Sequence, residues 1–372
     1  MKELKCAAVG MLMGMLAGTA LASLGQVWDV SVGDFPRLAG ETGDSARIQR
    51  AVASAGEGRV VWFPYGEYVI DAMLAVTNHS SLLLHPSAHL KAVKQMPFVL
   101  YYEAKPRDLY AQTPFRPGEF NLSIRGGDFD GAGLANCVNV MGRWHFTIAD
   151  ATFRNGRQVG LQLGADRKRE GWEVVANNLY CICDMPGLVG NVGLLTYVGD
   201  SHFTDIIVVD YTVGIRDMRW SNRFTRCHVW GGPVKKPGTN LSEYLPNSIA
   251  FDLLGADSVL ETCYADTAMI GFRVGNEGVR IFNCAYFNNW AFKLDNPTVF
   301  AHERGSLIVT GGRFTKGSPH ATFYRRGKKA GRLIWRDNQM FNFKPTDMKG
   351  LNDELKKSGA NESAAKSDAK FS

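Results

Sequence analysis

A degenerate phrase recurs across positions 124–343, and this recurrence constrains the fold more than any bulk property of the chain. Copies open at Ile124, Ile148, Val175, Phe203, Phe224, Val259, Ile281 and Val309, with a weaker ninth at Ile334, at separations of roughly 21 to 35 residues. A period of that size is the signature of a solenoid. The first position is apolar and the fourth is mostly small, as at Gly127, Ala151, Cys227, Thr262, Cys284 and Gly312. The sixth is aromatic or aliphatic, as at Phe129, Phe153, Tyr180, Val208, Val229, Tyr264, Tyr286 and Phe314. Positions four and six of a strand share a face, so stacked copies place a small column beside a bulky one, both inside. A second apolar run follows each phrase and opens on a small residue: Gly160, Gly193, Gly214, Ala250, Gly271 and Ala291. Short strands separated by turn residues, with almost no helical periodicity, predict an all-β parallel β-helix. A leucine-rich repeat, a propeller or a β-sandwich would show other spacings.

Of the 372 residues 45% are hydrophobic, enough for a continuous core, and 40 glycines suit many turns. Positions 1–22 combine a basic start, an apolar run over about 6–16 and an Ala20-Leu21-Ala22 exit. That pattern reads as a signal peptide, too short for a membrane span, and implies a secreted or periplasmic protein. Six cysteines remain after it; Cys227 and Cys284 fall in the small inner column two rungs apart, roughly 10 Å, too far for a disulfide. Cys181-Ile-Cys183 lacks zinc-site spacing, and no metal ligand set is predicted. The net charge of +6 permits an acidic partner, and no nucleic-acid motif is present. Homo-oligomerisation is left open by the sequence.

Residues 44–56 read as an amphipathic helix, with Asp44 or Ser45 as N-cap, Ile48, Ala51, Val52 and Ala55 on one face and Gly56 as stop. A solenoid end exposes core and backbone groups, and this helix is its natural plug. Strands are predicted at Val60 to Phe63, Tyr68 to Ile70, Ser81 to Leu84 and Ala88 to Leu90 around the turn Pro64-Tyr-Gly66-Glu. Positions 94–120 and 231–247 read as loop excursions that could wall a groove. From position 344 onward the chain is polar, predicting a disordered tail or a loosely docked helix.

Asp44-Ser-Ala-Arg-Ile48-Gln49-Arg-Ala51, followed by Gly58-Arg-Val-Val-Trp-Phe63-Pro64-Tyr-Gly66-Glu-Tyr68, closely resembles the opening of the pectate-lyase-like superfamily. Gly126-Gly-Asp128-Phe-Asp130-Gly131-Ala-Gly133 is similar to a Gly-x-Ile-Asp-Gly-x-Gly turn of that group. With the rungs, the likeness runs over about 30–343. It implies a single-stranded right-handed parallel β-helix with an N-terminal capping helix, and most enzymatic members of the superfamily cleave polysaccharides. The polygalacturonase-like motifs Asn-Thr-Asp, Asp-Asp, Gly-His-Gly and Arg-Ile-Lys are absent, as is the Arg-x-Pro-x-x-Arg segment of pectate lyases. The resemblance therefore supplies no catalytic residue.

The residues themselves offer several sites. The outward column Gln162, Leu195, Arg216, Asp252, Arg273 and Lys293 ends in a charged strip about 15 Å long at rung spacing. Arg216, Asp252, Arg273 and Lys293 could neutralise uronates and abstract an α-proton, making an exported lyase of an acidic extracellular polysaccharide the favoured reading. A solvated row of ion pairs is the plain alternative. Asp128 and Asp130, about 6.5 to 7 Å apart along one face, could serve glycoside hydrolysis, although Asp130-Gly131 is also a structural corner. His228 beside Trp230 could be an acid or base next to a stacking platform. Lys235, Lys236 and Tyr244 would bind substrate from the second excursion. Asp150, Asn177, Asp205, Arg226, Glu261 and Asn283 form a polar column expected to satisfy turn backbone from inside. Calcium could be held by Asp205 and Glu261, the one cofactor the sequence leaves open, although Arg226 between them argues against it. A non-catalytic carbohydrate-binding or surface-structural β-helix is the reading from another class.

Overall fold

The structure is a computed structural model and describes residues 27–103, 121–141, 144–165, 171–185, 187–231, 234–235, 242–243, 247–288, 294, 296–318 and 320–357. The chain winds into a right-handed parallel β-helix of three ladders, every ladder pairing being parallel. The first ladder stacks Val30, Val61, Leu82, Ile124, Ile148, Ala176, Phe203, Phe224, Leu260, Ile281, Val309 and Trp335 directly over one another, all facing in. The second stacks Tyr68, Leu90, Phe129, Phe153, Cys181, Val208, Val229, Ala265, Tyr286 and Phe314. Inner Phe251, Phe272 and Phe300 on the third stack at 5.4 and 5.2 Å, nearly parallel, because register fixes identical residues one rung apart.

Two copies of the repeat are displaced by one residue from the sequence-based alignment. Ala176 and Leu260 face in while Val175 is 43% exposed, so Cys181 and Ala265 fill the inner column and Tyr180 and Tyr264 point out. The ninth copy likewise opens at Trp335 instead of Ile334. A slip of one flips every side chain to the other face. Val259-Leu260 and Asn177-Asn178 each offer two chemically equivalent choices, so composition could not fix the phase.

The slip also brings Cys263 between Cys227 and Cys284 on consecutive rungs; the Cys263 amide N–H donates to Cys284 Sγ at 3.3 Å, and all three thiols are free and buried. Burial pushes the Cys227 and Cys284 thiols well up.

The polar third-position column is not internal. Asp150, Asn178, Asp205, Arg226, Thr262 and Asn283 occupy the corner between the first and second ladders, each at φ between 51° and 58°. All six lie outside the core, with Asn178 and Thr262 standing where Asn177 and Glu261 were expected. Asn and Asp tolerate this left-handed region best among residues with a Cβ. Arg226 grips Asp205 with two bonds of 2.7 and 2.6 Å, so that carboxylate is already paired.

The small residues opening the second apolar runs make room for the core. A Cβ on Gly193 would lie 2.3 Å from Val208 Cγ1, and one on Gly214 2.2 Å from Val229 Cγ1. The predicted run at Ala291 lies largely outside the described residues; the third ladder continues instead through Thr298–Thr310, with Val299 and Phe300 facing in. The first excursion also starts later than expected, because Phe98–Glu103 is a ladder strand with Tyr102 wholly buried.

Both ends are closed. Helix α1, Ser45–Ala55, buries Ile48, Ala51 and Val52 as its spacing predicts. Its polar side chains take over the edge of the first rung. Gln49 bonds both the N–H and the C=O of Ala75, Ser45 Oγ accepts from the amides of Asp71 and Ala72, and Asp44 accepts from Val69. Asp44 makes no helix-capping bond with its side chain; two arginines, Arg37 and Arg47, and the strand edge claim it. Each named residue of the Asp44-Ser45-x-x-x-Gln49 spacing thus has a partner on the first rung. At the other end α2, Lys349–Lys357, docks through Leu351, which is buried, and Glu354 pairs with Arg326 at 2.5 Å. Residues 344–357 are therefore a turn and a packed helix, and 358–372 lie outside the described residues, as does the proposed signal peptide.

Candidate active site

The outer face of the second ladder concentrates charge at its N-terminal half. His89, Asp128, Thr152 and Tyr180 form one outward column, and Lys91, Asp130, Arg154 and Ile182 the next. His89 Nδ1 lies 3.3 Å from Asp128 Oδ2, and its Nε2 lies 3.8 Å from Asp130. Hydrogen bonding to Asp128, reinforced by the charges of Asp128, Asp130 and Glu67, outweighs burial and raises the His89 pKa. Arg154 reaches Asp128 at 3.5 Å with Nε and Asp184 at 3.3 Å with Nη1. Burial works against its charge, but the two carboxylates win and raise its pKa further.

The corner that follows completes the cluster. Asn155 donates toward Asp130 at 3.5 Å and accepts from the Asp184 amide at 3.0 Å, tying two rungs together. One rung on stands Asp210, at φ 60°, its amide bonded to Trp230 O. Its Oδ1 is buried with no hydrogen-bond partner among the described residues. Burial first, and the neighbouring Asp184 charge second, push the Asp210 carboxyl up to about 7. A carboxyl whose pKa burial raises toward neutrality, next to an exposed carboxylate held by arginine, is the kind of pair on which acid–base chemistry can be built.

Asp128 and Asp130 thus do belong to a cluster, but as its positioning end. Asp130 is 5% exposed and accepts from the Ala132 amide at 2.8 Å, the corner role weighed for it. Asp184 and Asp210 were not singled out from the sequence. The only available signal was an isolated Asp closing the apolar Ile206-Ile-Val-Val run; nothing in the order of residues places Asp184 beside it.

The other candidate strip is placed in part. Arg216, Asp252 and Arg273 are register partners, as predicted, but the partner of Arg273 on the next rung is Ala301, followed by Arg325. Lys293 lies outside the described residues. Asp252 is wholly buried and accepts from Arg216 Nε at 2.7 Å and from Arg273 Nε and an Arg273 Nη at 2.6 and 2.7 Å. Each guanidinium therefore spends hydrogen bonds on that carboxylate. His228 stacks on Tyr264 at 4.8 Å and sits 3.9 Å from Asp266, with Trp230 on the same strand. Lys235 is on a short strand paired with Ser242–Glu243; Lys236, Tyr244 and positions 104–120 lie outside the described residues. No group of His, Cys, Asp or Glu among the described residues is arranged to hold a metal ion, and no described helix is long and apolar enough to cross a membrane.

No protein-family model matches this chain, and no curated protein sequence matches it. Solved structures do. The N-terminal fragment of gene product 12 of bacteriophage Phi29 is 11% identical, with a TM-score of 0.60 over 88% of this chain and 65% of that one. ORF18 of Geobacillus virus E2 is 16% identical, with a TM-score of 0.53 over 84% and 60%. A double mutant of the tailspike protein of E. coli bacteriophage HK620 is 9% identical, with a TM-score of 0.52 over 84% and 66%. The chain thus spans less than two thirds of each of these proteins, and at such identities the likeness shows the fold alone: a right-handed parallel β-helix.

Proposed function

We propose that this protein is an exported carbohydrate-acting β-helix that hydrolyses glycosidic bonds at the Asp128, Arg154, Asp184 and Asp210 cluster. The carrying observation is the pairing of a buried, partnerless Asp210 oxygen with an exposed Asp184 carboxylate oriented by Arg154. In this reading Asp210 donates its proton to the glycosidic oxygen as the C–O bond breaks. Asp184 assists the attack of water on the sugar, taking the proton that water gives up. Arg154 holds Asp184 in place and is itself held by Asp128, which His89 orients in turn.

Hydrolysis at this cluster is better supported than β-elimination at Arg216, Asp252 and Arg273, because there the carboxylate is buried and enclosed by the two arginines. The deciding experiment is a digest of acidic and neutral polysaccharides by the full chain, following reducing ends and the ultraviolet absorbance of unsaturated uronates. Reducing ends alone, abolished by Asp210→Asn, support the proposal. Reducing ends with that absorbance establish a lyase and overturn it. No product on any substrate favours a binding or surface-structural role.

A further inference from the structure

The second ladder's outer face changes character beyond Arg154. Over the next five rungs its two outward columns carry Tyr180 with Ile182, Ile207 with Val209, His228 with Trp230, Tyr264 with Asp266, and Ala285 with Phe287. The next outward cation is Arg313, one rung beyond Ala285. Between them the His228 ring faces the Asp266 carboxylate at 3.9 Å. This stretch is about 19 Å long at rung spacing, the span of a short oligosaccharide, and it is continuous with the Asp184 and Asp210 corner.

We infer that this stripe is the substrate-binding face for a neutral glycan whose sugars carry methyl groups, as 6-deoxyhexoses and N-acetylhexosamines do. The inference rests on the hydrolase reading for its direction, since the chain would run from the stripe into the charged cluster. Ile207 is 41% exposed between Tyr180 and His228, where an apolar side chain has no hydrogen bond to offer a ligand. A uronate lying over Ile207 and Trp230 would lose hydration, and the nearest cation of the two columns, Arg154, is already paired with Asp128 and Asp184. A sugar methyl group or an apolar pyranose face loses nothing there and gains burial. The flat stack of His228 on Tyr264, with Trp230 alongside, supplies the aromatic surface.

The test uses the full-length Asp210→Asn protein, which keeps ligand uncleaved, and measures binding by calorimetry to three oligosaccharides: an oligo-N-acetylglucosamine, an oligorhamnoside and an oligogalacturonate. The expected result is binding to one or both neutral ligands and none to the uronate, with Trp230→Ala weakening it by about tenfold or more. Ile207→Lys should weaken neutral ligands and leave the circular dichroism spectrum unchanged. Equal or tighter binding of the uronate, no binding of either neutral ligand, or binding indifferent to both substitutions overturns the inference. So does a change of oligomeric state in Trp230→Ala without a change in sugar affinity, which would make the stripe an interface between copies. The hydrolase reading fails separately, through retained turnover in Asp210→Asn.

Discussion

The Gln49 side chain donates to the Ala75 carbonyl at 2.9 Å and accepts from the Ala75 amide at 2.6 Å, standing where a preceding strand would otherwise pair. An open parallel edge is a template for aggregation, and one amide side chain blocks it here. Replacing Gln49 with Ala leaves two backbone groups unsatisfied, so denaturant unfolding should show a loss of about 1–3 kcal/mol. Gln49→Glu, which keeps the acceptor but not the donor, should fall between the two.

The Gly214 and Val229 pair tests how tightly the ladders interlock. Gly214→Ala puts a methyl group against Val229 and 2.8 Å from the Ala250 carbonyl oxygen, and should destabilise by about 1–3 kcal/mol. Adding Val229→Ala should recover part of that loss in a double-mutant cycle, the residue being the backbone contact.

Asp210 and Asp217 make stability depend on pH in the direction opposite to that of ordinary ion-paired carboxylates. Burial raises Asp217 to about 6, opposed by bonds from Ser258, Asn222 and the Arg219 amide, and burial with Asp184 raises Asp210 to about 7. The ordinary value is 3.8 for both, so between about 4 and 7 the folded state holds protons that the unfolded chain has released. Their stabilising contribution is complete below pH 4 and is lost as pH rises through 6 and 7. Thermal unfolding across that window should show Asp210→Asn and Asp217→Asn each flattening the dependence.

Catalysis by the proposed acid has its own pH signature. Turnover should fall as pH rises through about 7, where Asp210 loses its proton. Asp210→Asn should lower kcat by about 10²- to 10⁴-fold and abolish that limb, measured as reducing ends across a pH series.

Asp252→Ala separates structure from chemistry on the third ladder. Removing the buried carboxylate strands two arginines, each 29% exposed. The loss should be about 2–4 kcal/mol, less than for a fully enclosed charge because water still reaches both guanidinium groups. Glycan cleavage at permissive temperature should persist; its loss, with the fold intact, would return the chemistry to that strip.

The repeat, the plug helix and the strands Val60–Phe63, Gly66–Ile70, Ser81–Leu84 and Ala88–Ala92 were legible because each rests on local pattern: alternation, capping residues, a Gly-containing turn; the three-residue strand Leu74–Val76 is too short to show one. Register was legible only where the residues are unequal. At Asn177-Asn178 and Val259-Leu260 two phases are equally apolar or equally polar, and the choice between them moved Tyr180 and Tyr264 from core to surface. Of the site, Asp128, Asp130 and Arg154 could be placed on one face by alternation alone. Asp184 lies on an irregular turn whose path no periodicity describes.

The order of residues by itself determined that this chain must stack short parallel strands, because only that arrangement buries its small and bulky columns together and satisfies its backbone. The tertiary structure decided what the surface can do. Asp184 becomes a neighbour of Asp210, and the Asp210 pKa rises, only when successive coils bring two corners together and exclude water from one of them. A pKa is set by burial and by neighbouring charge, and both are properties of the wound helix, not of any segment of the chain.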